Sequence, residues 1–129
     1  MTVGNGNPDV LEGPFTTRQL LRIDEALRVA DQSTALTFSV YVGEIAEDVR
    51  VGAEKLHSQL ANPADSVLIA VAPQQRQLEI VTGANARKRL ADRDCKLAAL
   101  SMAAAFGGGD LAGGIVSGLA QLADHAGKG

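Results

Sequence analysis

The sequence has few aromatic residues and no excess of positive charge. Only 3% of its 129 residues are aromatic, and 15 acidic residues against 12 lysines and arginines give a net charge of −3 at pH 7. Sequence-independent binding of nucleic acid requires a positive surface that neutralises the phosphates. The composition therefore predicts no nucleic-acid partner, and it predicts a core built from aliphatic side chains and alanine.

Cysteine and histidine are also scarce. The chain has one cysteine, Cys95, and two histidines. A single cysteine cannot form an intrachain disulfide, and a Cys/His zinc site needs more ligands of this kind. Cys95 lies in a stretch with helical character, so we interpret it as a small apolar core residue rather than a reactive thiol.

Long apolar runs are missing. The first residues, MTVGNGNPDVLEGPF, have neither the charged start nor the apolar centre of a signal peptide. The longest apolar run is far shorter than the roughly 18 residues that a spanning helix needs. We therefore expect a cytoplasmic protein with no direct membrane insertion. Glycine, proline and polar residues predict a flexible N-terminal arm over 1–13, followed by one domain over 14–127.

Hydrophobic periodicity predicts four helices and three strands. The predicted helices span 17–31, 47–60, 91–106 and 111–126, and the predicted strands span 36–45, 67–72 and 77–83. The run VLIAVA has no alternation, which is typical of a central strand covered on both faces. The order of elements predicts an α/β fold, a single-domain αβα sandwich. Its mixed sheet of three or four strands should be flanked by helices.

The helix ends and faces carry further predictions. Thr16 and Gln19 fit a capping box at the start of the first helix. Asp92 and Asp110 are candidate N-caps of the third and fourth helices. Leu97, Leu100 and Ala104 are spaced as the buried face of the third helix, and His57 and His125 are predicted to be surface residues.

The order of short motifs resembles the TPM domain family. The carrying segments are FTTRQL, TALTFSVYVGEI, ADS before VLIAVA, Arg76 in the turn, and LEIVTG ending at Gly83, then Leu90 to Asp92, Phe106, and the Gly109–Asp110 pair. The resemblance runs from about Phe15 to His125 and includes small actinobacterial relatives of unknown function. Where the family has an acidic–Asn–Gly triplet, this chain has Ala64, Asp65 and Ser66, so the first acidic position is absent.

The resemblance implies a possible chemistry. Family members are associated with acid phosphatase activity and divalent-ion binding. Transferred to this chain, these properties suggest Glu44, Asp65, Asp92 and Asp110 as ligands of a possible Ca²⁺ or Mg²⁺ ion, and Arg76 as a phosphate-binding residue. If these carboxylates do not converge on one point, no cofactor is expected, because the same residues also suit helix caps, loops and an exposed turn.

Two hypotheses about function remain open. No serine or cysteine lies in a recognisable arrangement with a histidine, which favours a non-catalytic module for protein interaction or assembly with a protein partner. The alternative is a weak acid phosphatase with a divalent-cation site. The basic cluster Arg87, Lys88, Arg89 and Arg93 is interpreted as a solvated face, with docking of an acidic partner as the other possibility.

Overall fold

The computed structural model describes residues 14–45 and 48–128, which form an α/β fold with four α-helices and a three-stranded mixed sheet. The helices are α1 (Thr17–Thr34), α2 (Val49–Ser58), α3 (Asp92–Gly107) and α4 (Leu111–Ala126), and the strands are β1 (Thr37–Val42), β2 (Ser66–Ala72) and β3 (Gln77–Thr82). The predicted arm at 1–13 lies outside the described residues. In the part of the chain that is described, no helix combines the length and apolar composition needed to cross a bilayer.

The sheet has the order β1–β2–β3, with β2 at its centre. The β1 and β2 strands are parallel, with Thr37 opposite Ser66, because the chain crosses over through α2. The β2 and β3 strands are antiparallel, with Val67 opposite Thr82, and a short turn at Pro73–Gln75 joins them. The predicted hairpin and parallel pair are therefore confirmed.

Both faces of β2 are covered, and all seven of its residues are buried. Val67, Ile69 and Val71 belong to the larger core, which includes side chains of α1, α3 and α4. Leu68 and Ala70 point to the other face, where α2 packs. Successive strand residues alternate between faces, so helices on both sides explain the unbroken apolar run VLIAVA. The predicted αβα layering is confirmed.

The first helix begins as predicted. The Gln19 N–H donates to the Thr16 hydroxyl, and the Thr16 N–H donates to the side-chain oxygen of Gln19, which completes the capping box. The helix ends at Thr34, three residues beyond the predicted end. The Thr34 side chain is fully buried, and its hydroxyl donates to the Ala30 carbonyl, so the last turn packs as part of the core.

The buried face of α3 differs from the predicted one. Leu97 and Leu100 are 43% and 68% exposed, whereas Ala98 and Met102 are buried. The reason lies on α4, where a Cβ added at Gly118 would be 2.4 Å from the Met102 sulfur. Because Gly118 has no side chain, Met102 packs directly against the backbone of α4, and the leucines of α3 face outward.

Two other predictions are wrong. Ala91, not Asp92, is the N-cap residue of α3, and the Ala91 N–H donates to the Asp94 carboxylate. Asp92 lies in the first turn, where its negative charge still faces the positive end of the helix. His57 is buried rather than at the surface, and its Nε2 lies 3.0 Å from the Ser66 carbonyl oxygen. This contact joins α2 to the start of β2.

Candidate functional site

The predicted acidic residues lie at separate places around the sheet. Asp65 directly precedes β2, and the first residue of β2 is opposite the start of β1. Glu44 follows the opposite end of β1, where Val42 is paired with Val71. A strand rises about 3.3 Å per residue, so roughly 20 Å of sheet separates Asp65 from Glu44.

Asp65 and Asp110 both have structural partners. The Asp65 carboxylate accepts hydrogen bonds from the side-chain amides of Asn62 and Asn85, each at 2.9 Å. These bonds join the turn before β2 to the turn after β3. Asp110 caps α4 as predicted, because its carboxylate accepts the Gly113 N–H at 2.9 Å.

The residues implied by the family resemblance do not make a metal-binding group in the part of the chain that is described. No three carboxylate, histidine or cysteine side chains in residues 14–45 and 48–128 are arranged to hold an ion. Asp92 lies beside Lys96 in a polar depression between α2, β3 and α3. Arg76 is exposed in the hairpin turn, with a left-handed backbone conformation at φ 53°. The cation and phosphate sites therefore stay predictions without support from this geometry.

Two arginines of the basic cluster bind backbone carbonyls. The Arg89 guanidinium donates to the carbonyl of Thr34 at the end of α1, and to the carbonyls of Ala126 and Gly127 at the end of α4. The Arg87 guanidinium donates to the Thr82 carbonyl at the end of β3. Charged groups near a helix C-terminus satisfy its free carbonyls. In the sequence, no pattern distinguishes these two arginines from solvated ones, so sequence reasoning missed this role.

An ion pair lies in the polar depression. Arg50 of α2 donates to Glu79 of β3 at 3.2 Å and to the Ile80 carbonyl at 3.0 Å. Burial, followed by the nearby negative charges of Asp92 and Asp94, raises the pKa of the Cys95 thiol. A raised pKa leaves less of the nucleophilic thiolate, which agrees with a packing role for this residue.

A different surface feature is apolar and open. A groove between α1 and α4 is lined by Leu21, Ala26 and Val29 of α1 and by Val116, Ala120 and Ala123 of α4. Leu21 is 64% exposed and Val29 is 54% exposed. We refer to this feature as the α1–α4 groove. Sequence reasoning predicted the helix α1 but did not identify an exposed apolar stripe on it.

The edges of the α1–α4 groove are charged. Arg18 and Arg22 lie in the first turns of α1, and Asp124 lies near the end of α4. Glu25 lies between them and is bonded to Arg28 of the same helix. Among the described residues, neither Arg22 nor Asp124 forms an ion pair. The groove thus combines an apolar floor with a basic end and an acidic end.

The comparison with protein families gives one match over most of the chain. The family model described as a domain of unknown function (DUF5130) matches residues 2–123. Two Mycobacterium tuberculosis proteins, named as uncharacterised proteins MT2543 and Rv2468c, are each 29% identical over 109 residues. The match covers 84% of this chain and 65% of each relative, so the chain spans slightly less than two-thirds of their length.

Three solved structures share the fold. The BA42 protein of Bizionia argentinensis has a TM-score of 0.81 at 21% identity, covering 90% of this chain and 83% of that one. The N-terminal domain of the cg2496 protein of Corynebacterium glutamicum has a TM-score of 0.73 at 18% identity, and the match covers 87% of this chain and 74% of that one. An N-terminal domain from P. gingivalis has a TM-score of 0.75 at 21% identity, and the match covers 88% of this chain and 76% of that one. At these identities the likeness concerns the fold alone.

Proposed function

The chain belongs to the family of the domain of unknown function DUF5130, and we propose that its domain is a non-catalytic protein-interaction module. The proposed contact surface is the α1–α4 groove. One observation carries the proposal, namely the exposure of Leu21 and Val29 on the same open face of α1. Contiguous exposed apolar surface with a polar edge is typical of protein-binding sites.

The energetics favour occupation of the groove. Complete burial of a leucine or valine side chain stabilises a contact by roughly 1.5–3 kcal/mol. The small side chains of Ala26, Ala120 and Ala123 leave room for an apolar side chain of a partner to reach the groove floor. Charged residues at its ends can then fix the orientation of the partner, because opposite charges across an interface determine register more than affinity.

The groups that could perform chemistry have structural contacts instead. His57 binds the Ser66 carbonyl, and Asp65 is bonded by two amides. Asp110 caps a helix, and Cys95 is half-buried against the core with a raised pKa. These contacts support a binding role over a catalytic one.

A relationship to the TPM domain is a second part of the proposal, supported by the order of motifs from Phe15 to His125. It implies the alternative function, a weak acid phosphatase with a divalent cation. Glu44 and Arg76 follow β1 and the β2–β3 turn at one end of the sheet, whereas Asp65 is at the other end. This separation favours the interaction role, and a cytoplasmic location stays a prediction.

Site-specific photo-cross-linking tests the interaction role. A benzophenone amino acid replaces Val29 in the full chain, expressed in cells of the source organism, and a matched variant carries it at Leu100 on α3. Both positions are exposed, so neither replacement should affect folding. We expect a discrete protein adduct from position 29 that is lost when Leu21→Glu is added, and none that depends on Leu21 from position 100. If no adduct from position 29 depends on Leu21, the proposed function is wrong.

A further inference from the structure

We propose that the α1–α4 groove binds the same groove of a second copy of this chain, in a two-fold symmetric dimer. This inference rests on the proposed interaction function and names its partner. The observation behind it is the distribution of charge along the groove. Its basic end is formed by Arg18 and Arg22, and its acidic end is formed by Asp124.

The direction of the two helices determines where these charges lie. Arg89 donates to carbonyls at the ends of both α1 and α4, and the two helices pack against each other. Their C-terminal ends therefore lie together, so Arg22, early in α1, and Asp124, late in α4, lie at different levels of the groove. With a rise of 1.5 Å per residue, the two levels are roughly 15 Å apart.

A two-fold axis that lies in the plane of the interface and is perpendicular to the line from Arg22 to Asp124 matches these charges. It exchanges the two positions, so that Arg22 faces the partner's Asp124 and Asp124 faces the partner's Arg22. Such an interface is self-complementary, because every favourable contact is made twice. A parallel arrangement would instead bring the arginines of both copies together and would be repelled.

The apolar residues fit the same arrangement. Leu21 and Val29 project from α1, while the alanines of α4 leave space beside them. In the two-fold dimer the exposed α1 side chains of each copy lie over the groove of the other and lose contact with water. Glu25 is already bonded to Arg28 of its own helix, so it opposes this contact little.

Sedimentation equilibrium of purified variants of this chain tests the dimer. The wild type should approach twice the single-chain mass of 13.4 kDa as concentration rises from micromolar to millimolar. Arg22→Glu alone or Asp124→Arg alone should weaken dimerisation by roughly tenfold or more, because each reverses both symmetric pairs. Leu21→Glu should abolish it, whereas Leu100→Glu should leave it unchanged.

Mixing the two charge-reversal variants is the decisive experiment. In a mixed dimer of Arg22→Glu with Asp124→Arg, both charge pairs are attractive again, so the equimolar mixture should dimerise about as well as the wild type. A monomeric wild type, or a mixture no better than its components, overturns the second-copy inference. If Val29 then cross-links to a different protein in a Leu21-dependent way, the proposed function stands. If no groove-dependent adduct forms, the proposed function fails as well.

Discussion

Asp31, in the last turn of α1, is joined to the start of β1 by one hydrogen bond. Its carboxylate accepts the Phe38 N–H at 2.7 Å, and Phe38 is only 4% exposed. A buried N–H that loses its acceptor costs about 1–3 kcal/mol. We therefore expect Asp31→Ala to lower the free energy of unfolding by about that amount, measured by urea denaturation. Asp31→Asn keeps an acceptor oxygen and is the matched control, and equal losses in both variants would contradict this role.

A comparison of the wild type with Asp31→Asn also tests the pKa of Asp31. Burial raises the pKa of this carboxyl above 3.8, and the bond from Phe38 offsets only part of the increase. Between 3.8 and the raised pKa, the folded state binds more protons than the unfolded state, so the free energy of unfolding falls as the pH rises. Stability of the wild type relative to Asp31→Asn should therefore decrease as the pH rises through this window. An increase over the same window would show that the pKa of Asp31 is lowered.

Among the elements, the C-terminal ends of the two groove helices are joined by Arg89, in addition to their direct packing. Replacement by methionine keeps much of the side-chain volume but removes the bonds to the carbonyls of Thr34, Ala126 and Gly127. Charge-assisted hydrogen bonds contribute about 1.5–3 kcal/mol each when buried, and these are partly exposed. We expect Arg89→Met to lower the free energy of unfolding by about 2 kcal/mol in urea denaturation.

Lys88 provides the matched control for Arg89. It precedes Arg89 in the same short turn and is exposed, so Lys88→Met should change stability by less than about 0.5 kcal/mol. Similar losses from both substitutions would mean that the cluster acts through its overall charge and not through the helix ends.

The elements also show where sequence reasoning succeeds. The alternation over β1, the unbroken run over β2 and the capping box of α1 depend on neighbours in sequence, and all three were predictable. Gly83 was predicted only as the end of a strand. Its role is a close approach, since a Cβ there would be 1.8 Å from the Pro63 carbonyl oxygen. This contact depends on residues far away in sequence.

The error in α3 has the same origin. Its sequence has two apolar stripes, one through Leu97 and Leu100 and one through Ala98 and Met102. Periodicity alone does not decide between them, and the larger side chains were expected inside. The small residues of α4, above all Gly118, decide in favour of the second stripe.

The fold of the described domain was predictable from the sequence, whereas the candidate site was not. Helix and strand order determine the layers and the parallel pair, so the αβα arrangement follows from local patterns and chain connection. The groove arises where α1 meets α4, and α4 begins more than seventy residues after the end of α1. No sequence motif marks the groove. The predicted acidic residues were chosen by type and resemblance, whereas the sheet separates Glu44 from Asp65 by its own length.

Methyl-resolved NMR of the purified chain, recorded from micromolar to millimolar concentration, tests whether the α1–α4 groove binds a second copy. The methyl signals of Leu21 and Val29 should shift with concentration, while those of Leu97 and Leu100 on α3 should not. Unchanged groove signals, or shifts confined to α3, would show that the chain does not associate through this groove.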